Sequence, residues 1–241
     1  MLHCFSTRYA TAKECCEMAL NLDDKFALAW NNLGNEGGGT VKTIYYTEKE
    51  CIQKSLDLDD QNAMQNAVAW SNLGSKGGGT VQDIAYTEKE CYEKSLNLDD
   101  TSVIVWKKLG LAGGGTVKTI SYSKKECFER CLNLDEHDAM AWNRLGSVGG
   151  GTVKNIAYTK KECSERSLNL DDTNAGVWSN LAIQGGGSVK NISYSKKECF
   201  ERCVSLNDQN AIAWKRFGAA GGGTVKNIAY TEKECFERSL N

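Results

Sequence analysis

Six tryptophans, Trp30, Trp70, Trp106, Trp142, Trp178 and Trp214, recur every 36 residues after a first interval of 40, and the residues around each recur with it. A period of this size marks one supersecondary unit copied along the chain; such a unit cannot bury its apolar face alone and relies on its neighbour. The period outweighs the length. A chain of 241 residues could make one or two globular domains, but a stack of repeats has one continuous core, so residues 1–241 are expected to form a single domain.

Within the unit from Asp172 to Leu206, Ala175, Trp178, Leu181 and Ala182 have the i, i+3, i+4 spacing of one buried stripe on a short helix, helix A. Asn66, Ser102, Asp138, Asn174 and Asn210 stand at its start, where their side chains can accept from the free N–H groups of the first turn; Phe26 breaks this pattern in the first copy. Three consecutive glycines, such as Gly185 to Gly187, close helix A in each copy and read as a firm stop. A loop of the form Thr/Ser-Val-x-x-Ile-x-Tyr follows, as in Thr152, Val153, Ile156 and Tyr158. Its apolar members are expected to tuck under the helices, with Lys42, Lys118, Lys154, Lys190 and Lys226 in water.

Helix B opens on a capping box. Thr47 with Glu50, Thr87 with Glu90, Ser123 with Glu126, Thr159 with Glu162, Ser195 with Glu198 and Thr231 with Glu234 all have the S/T-x-x-E form. The tyrosine before each box (Tyr46, Tyr86, Tyr122, Tyr158, Tyr194, Tyr230) and the cysteine one place after it (Cys51, Cys91, Cys127, Cys163, Cys199, Cys235) occupy the two positions of a hydrophobic staple. Cys15 extends the ladder. Stacking holds these equivalent cysteines about 8–10 Å apart, beyond the ~7 Å between the Cα atoms of a disulfide, so the thiols are expected to be reduced and the protein cytoplasmic. Met1 to Ala10 has no apolar core of a signal peptide, and no stretch approaches the roughly 18 apolar residues of a membrane span. In the irregular first interval, Gln61-Asn62-Ala63-Met64 nearly repeats as Gln65-Asn66-Ala67-Val68, an insertion of about one helical turn that can lengthen helix A without rotating Trp70 off its face.

The segment Ala27-Leu-Ala-Trp-Asn-Asn-Leu-Gly34, with Ser95-Leu-Asn-Leu-Asp-Asp100, resembles the tetratricopeptide repeat, a helix-turn-helix unit of about 34 residues. The resemblance covers essentially the whole chain. It takes in the tryptophans, Leu33, Leu73, Leu109, Leu145 and Leu181 (Phe217 in the last copy), the close-packing Gly34, Gly74, Gly110, Gly146 and Gly218, and on helix B the aromatic Tyr92, Phe128, Phe200 and Phe236. It implies an all-α fold, an α–α superhelix in which antiparallel helix pairs form a right-handed solenoid, and a role in holding protein partners. An N-terminal B-type helix at about 11–22 would precede six pairs starting near 26, 62, 102, 138, 174 and 210. The chain departs from the family in lacking proline: Asp24, Asp60, Asp100, Glu136, Asp172 and Asp208 replace the terminal proline, which leaves the turn less rigidly set. The glycine-rich loop is longer and helix A shorter, so the concave groove should be shallower. Asn35, Asn72 and Lys108 fall near the places where some family members clamp a terminal carboxylate, but Asn31 and Ile104 stand where basic residues are required, and no clamp is expected.

Other chemistry finds less support. The glycine triple followed by Thr-Val-Lys lacks the G-x-x-x-x-G-K-[ST] frame of a phosphate loop and closes a helix instead of opening one. Cys127 with Cys131 and Cys199 with Cys203 are i, i+4 pairs, but zinc wants four ligands and the chain has only His3 and His137 besides, so neither metal nor cofactor is expected. With 29 basic and 31 acidic side chains, and with Gln82 and Asp83 interrupting the lysine ladder, RNA binding along the loops is the second reading. A structural array without a specific ligand is the third. No nucleophile, base and orienting group come together, so the chain is not read as an enzyme.

The first reading is an interaction scaffold. In the tetratricopeptide architecture helix A lines the concave face, which puts the residues one and five places after each tryptophan in the groove: Asn31, Asn35, Ser71, Ser75, Lys107, Leu111, Asn143, Ser147, Ser179, Ile183, Lys215 and Ala219. They vary from copy to copy, and Lys107 and Lys215 favour an acidic or polar peptide. The sequence stops at Leu240-Asn241 in mid-motif, so a longer array or self-association through an uncapped end is expected.

Overall fold

The computed structural model of the chain describes residues 10–58 and 63–240. Two compact units divide it, Met1–Ser123 and Lys124–Asn241. The described part of the first holds α1 (Ala12–Leu22), α2 (Ala27–Asn35), β1 (Gly39–Val41), β2 (Ile44–Tyr46), α3 (Glu48–Asp57), α4 (Ala63–Ser75), β3 (Gly79–Val81), β4 (Ile84–Tyr86), α5 (Glu88–Leu98), α6 (Val103–Leu111), β5 (Gly114–Val117) and β6 (Ile120–Ser123). The second holds α7 (Lys124–Leu134), α8 (Ala139–Ser147), β7 (Gly151–Val153), β8 (Ile156–Tyr158), α9 (Lys160–Leu170), α10 (Ala175–Ile183), β9 (Gly186–Val189), β10 (Ile192–Ser195), α11 (Lys196–Leu206), α12 (Ala211–Ala219), β11 (Gly223–Val225), β12 (Ile228–Tyr230) and α13 (Glu232–Arg238). Within each unit, consecutive helices pack on one another. The fold class is all-α, helix pairs repeated in the manner of an α–α solenoid.

In five of the pairs helix A begins at Ala27, Val103, Ala139, Ala175 and Ala211; residue 62, with Asp60, lies outside the described residues, as do His3 and Cys4. Asp138, Asn174 and Asn210 accept first-turn N–H groups as expected, with Asn174 Oδ1 taking those of Gly176 at 3.0 Å and Val177 at 3.3 Å. Phe26 and Ser102 are N-caps without a side-chain bond. Asn66 is a correction: it lies inside α4, because the inserted turn carries the helix N-terminal of it. Complete capping boxes open α3, α5, α9, α11 and α13, and Thr11 with Glu14 opens α1 in the same way, a box the sequence reading passed over.

The core lies between the helices of each pair. In the second unit Leu168, Val177, Trp178, Leu181, Cys199, Phe200 and Trp214 share one buried cluster, and each such side chain contributes on the order of 1.5–3 kcal/mol by leaving water. Trp178 Nε1 donates to the Asp172 carbonyl at 2.8 Å, and the Tyr194 ring meets Trp178 edge-on at 4.8 Å. Both contacts recur along the chain: Trp30, Trp106, Trp142 and Trp214 donate in the same way. The acidic residue in the proline's place therefore fixes the turn through its carbonyl.

The stretch after the glycines is a β-hairpin, not the loop that its sequence suggested. Val153 pairs with Ile156 across a two-residue turn whose Lys154 and Asn155 both have positive φ, 49° and 64°, the combination that a type I′ turn demands. Val153 is buried while its cross-strand partner Ile156 is 56% exposed, and the other five hairpin isoleucines are exposed alike. They do not tuck under the helices. The hairpin lysines are exposed as expected, and each also forms a surface ion pair: Lys42, Lys118, Lys154, Lys190 and Lys226 with Asp24, Asp100, Glu136, Asp172 and Asp208.

Four hairpins are gripped alike by the helix B that precedes them in sequence. Glu165 Oε1 on α9 accepts the Ser188 N–H at 2.8 Å, and Asn169 Oδ1, one turn on, accepts that of Lys190 at 2.6 Å. Glu17 with Asn21, Glu93 with Asn97, and Glu129 with Asn133 hold their hairpins in the same way. These bonds satisfy N–H groups on the outer edge of the first strand, which would otherwise be left without a partner in the ladder.

Candidate functional site

Helix A turns two positions away from its buried tryptophan side. At about 100° per residue, residues two before and two after the tryptophan point most directly outward, with those at one and five beside them. Val68, Ile104, Met140 and Ile212, each two residues before a tryptophan, are all about half exposed or more. The residues two after it, Asn72, Lys108, Asn180 and Arg216, carry donors. The sequence set Asn72, Lys108 and Ile104 against a carboxylate clamp but did not read either set as a face, although the helical period of 3.6 was the signal that could have found them.

Several of the expected groove residues are occupied in joining helices. Asn31 is buried, 4% exposed, and its Oδ1 accepts from Asn72 Nδ2 at 3.1 Å. Asn143 accepts from Asn180 at 3.3 Å, and Ser179 Oγ bonds Arg216 at 3.2 Å. In these three places the residue one after a tryptophan accepts from the residue two after the next. Ser71 is buried, and Ser75 and Ser147 turn back to the carbonyls of Ser71 and Asn143. Lys107 is half-buried. Asn35, Leu111, Ile183, Lys215 and Ala219 are exposed.

In the first unit this face holds a groove of about 280 Å³ between α4 and α6. Ala67, Val68, Ile104 and Val105 make its apolar lining, and Lys108 stands at its edge. Lys108 is half-buried; its ammonium meets Ser75 Oγ at 2.5 Å and the Tyr92 ring at 5.7 Å from the centroid. Both are neutral, and among the described residues no carboxylate pairs with it. Burial holds the ammonium below the usual lysine range, opposed by the more distant Glu88 carboxylate.

Burial pushes the thiols of Cys51, Cys91 and Cys199 up to about 11 and that of Cys163 up to about 12, which removes the thiolate that metal binding or nucleophilic attack needs. The ten described cysteines are unbridged. Cys51, Cys91, Cys163 and Cys235 place their Cβ atoms against Gly34, Gly74, Gly146 and Gly218 of helix A. Among the described residues no group of His, Cys, Asp and Glu is arranged to hold a metal ion, and no helix is long and apolar enough to cross a membrane.

No protein-family model and no curated protein matches the chain. Solved structures do. A Sel1 repeat protein from Oxalobacter formigenes aligns with a TM-score of 0.52 at 17% identity, over 94% of this chain and 92% of its own. YrrB, described as a TPR protein with an unusual peptide-binding site, gives 0.49 at 15% identity over 84% and 97%. The MamA protein gives 0.45 at 16% over 73% and 87%. The first of these likenesses agrees with the repeated helix pairs: the chain has the fold of a Sel1-like helical repeat protein.

Proposed function

We propose that the chain is a protein-interaction scaffold whose A-helix face binds partner polypeptides, and that the first unit takes an acidic segment. The observation that carries this reading is Lys108. A half-buried ammonium with only neutral partners gains most from a carboxylate, and the apolar groove beside it can take a neighbouring aliphatic side chain. In the second unit the corresponding face comprises Asn143, Ser147, Ser179, Ile183, Lys215 and Ala219, with Arg216. Asn35, Ser75, Lys107 and Leu111 complete the first. Asn31 belongs to the helix-joining bonds and holds Asn72 in place, while the Ser71 carbonyl holds Ser75 within α4.

Nucleic-acid binding along the hairpins gains nothing, since their lysines are neutralised by the acidic residue of the preceding turn. No catalytic role is proposed. Ten unbridged thiols, eight of them buried, fit a reducing compartment, and we place the protein in the cytoplasm on that ground.

The test is a partner captured from native lysate with and without ribonuclease, its binding segment then titrated calorimetrically against wild type and Lys108→Ala. A charge-assisted bond contributes about 1.5–3 kcal/mol, so the variant should bind roughly 10- to 150-fold more weakly. RNase-sensitive capture, or unchanged affinity with helicity intact, would remove the reading.

A further inference from the structure

The repeats serve as internal references for one another, and one of them has a gap. The helix-B residue after the ladder cysteine is Ile52, Tyr92, Phe128, Ser164, Phe200 or Phe236. Where the side chain is large it covers the small residue of helix A. A Cβ on Gly34 would meet Ile52 Cγ1 at 2.7 Å, one on Gly74 would meet Tyr92 Cε1 at 2.6 Å, and one on Gly218 would lie 3.6 Å from Phe236 Cδ1. Phe200 is buried in the same cluster as Ala182. At Gly146 the nearest side-chain atoms are instead Cys163 Cβ at 3.1 Å and Ser164 Oγ at 3.8 Å.

A hollow of about 270 Å³ lies there, wholly within the second unit. Gly146 and Ser164 are its buried floor, Asn180 and Gln184 are half-buried beside them, and Ile183 and Lys160 stand exposed at the mouth. Gln184 reaches across, its Nε2 donating to Ser164 Oγ at 3.3 Å and to the Asn180 carbonyl at 3.0 Å. Ser164 itself donates to the Lys160 carbonyl at 3.1 Å, so the floor is polar but satisfied.

We propose that this hollow receives an aromatic side chain of the partner polypeptide, seated where the other copies place a ring or Ile52 of their own. The inference rests on the peptide-binding reading and specifies its partner. Three features favour a ring. The site is equivalent to one that the same backbone fills with Tyr92 in the first unit. Its volume falls just below the ~300–1,000 Å³ of small-molecule pockets and suits a single side chain. Lys160 at the mouth offers a cation to a ring face, as Lys108 does to Tyr92.

The probe is p-cresol, a tyrosine side chain without its backbone, titrated into the ¹⁵N-labelled full chain. At the efficiencies usual for fragments its dissociation constant should be on the order of 10 mM. Saturable amide shifts are expected at Gly146, Ser147 and Gln184. They should disappear in Ser164→Phe and in Ser164→Ile, which install the side chains that Phe200 and Ile52 carry in equivalent places, and persist in Lys108→Ala. No saturable shift in the wild type, or shifts that survive both filled variants, would overturn the inference. Because the titration contains no peptide, a negative result alongside Lys108-dependent peptide binding overturns the hollow alone; loss of both removes the shared reading.

Discussion

The glycine triple gives a matched pair of substitutions. Gly185 and Gly186 have nearly the same φ, +94° and +89°, yet a Cβ on Gly185 would find nothing within 4 Å, whereas one on Gly186 would lie 2.2 Å from the Tyr194 carbonyl oxygen and 2.9 Å from Lys196 N. Alanine at either place incurs the left-handed penalty of about 1–2 kcal/mol. Only Gly186→Ala adds a collision, and the atoms struck are backbone that cannot rotate away. They belong to the second hairpin strand and the first turn of α11. Relief means lifting the hairpin off the helix, which adds about 1–3 kcal/mol as overpacking does and disturbs the contact between Trp178 and Tyr194. Gly185→Ala should therefore cost about 1–2 kcal/mol and Gly186→Ala about 2–5. The assay is urea unfolding of the whole chain, followed by near-ultraviolet circular dichroism for the aromatic pair and far-ultraviolet for the helices. Equal losses, or a larger loss for Gly185→Ala, would refute the idea that the second glycine is a steric passage beneath the tyrosine carbonyl.

Asn169→Ala deletes the acceptor of the Lys190 N–H and should lower stability by about 1 kcal/mol. Asn169→Asp should be nearly silent, because Asp57 already holds the Gln82 N–H in this way at 2.8 Å; a loss in the aspartate variant as large as in the alanine variant would contradict the anchoring role. For the thiols, burial raises the folded-state values of Cys51, Cys91 and Cys199 to about 11 and of Cys163 to about 12 from an ordinary 9.0. The unfolded chain thus releases protons first as pH rises, so their stabilisation is complete below about pH 9 and is lost through 11–12. Denaturant midpoints measured upward from pH 8 should hold and then fall, less steeply in Cys163→Ala, and thiol titration of the denatured chain should return all eleven cysteines free; native disulfides would contradict the ladder geometry.

The helices were legible because their signals are local. A capping box spans four residues, and the period of Trp178, Leu181 and Ala182 is set by one helix. The hairpins were missed because the pair Lys154-Asn155 is not the Asn-Gly that usually announces a two-residue turn, and the glycines ahead of it were absorbed into a single reading as helix stops. Gly185 is such a stop, but Gly186 and Gly187 serve close approach, the latter against Glu165 and Leu181. The pairing of Lys190 with Asp172 was invisible for another reason: it joins residues that only the folded turn brings together. In the candidate site, the rule of one and five places after tryptophan included Asn31, whose amide is occupied by Asn72. It passed over Lys108 and Ser164.

Those two residues differ from the rest in how they relate to the repeat. Packing needs the tryptophan, the leucine, the small residue and the hairpin valine in every copy, so a position obeying the period is explained by stacking alone. Lys108 keeps its place on the outward face but lacks the carboxylate that would make it an ordinary surface lysine. Ser164 breaks a series of large side chains at a buried position, where truncation leaves a cavity that normally destabilises. Ser164→Phe should accordingly raise the unfolding midpoint while closing the hollow. A gain in stability that coincides with loss of p-cresol binding would indicate that stabilisation was forgone in favour of binding; a fall in stability with the hollow closed would mean that Gln184 and Asn180 had already repacked around the serine, leaving no place for a ring.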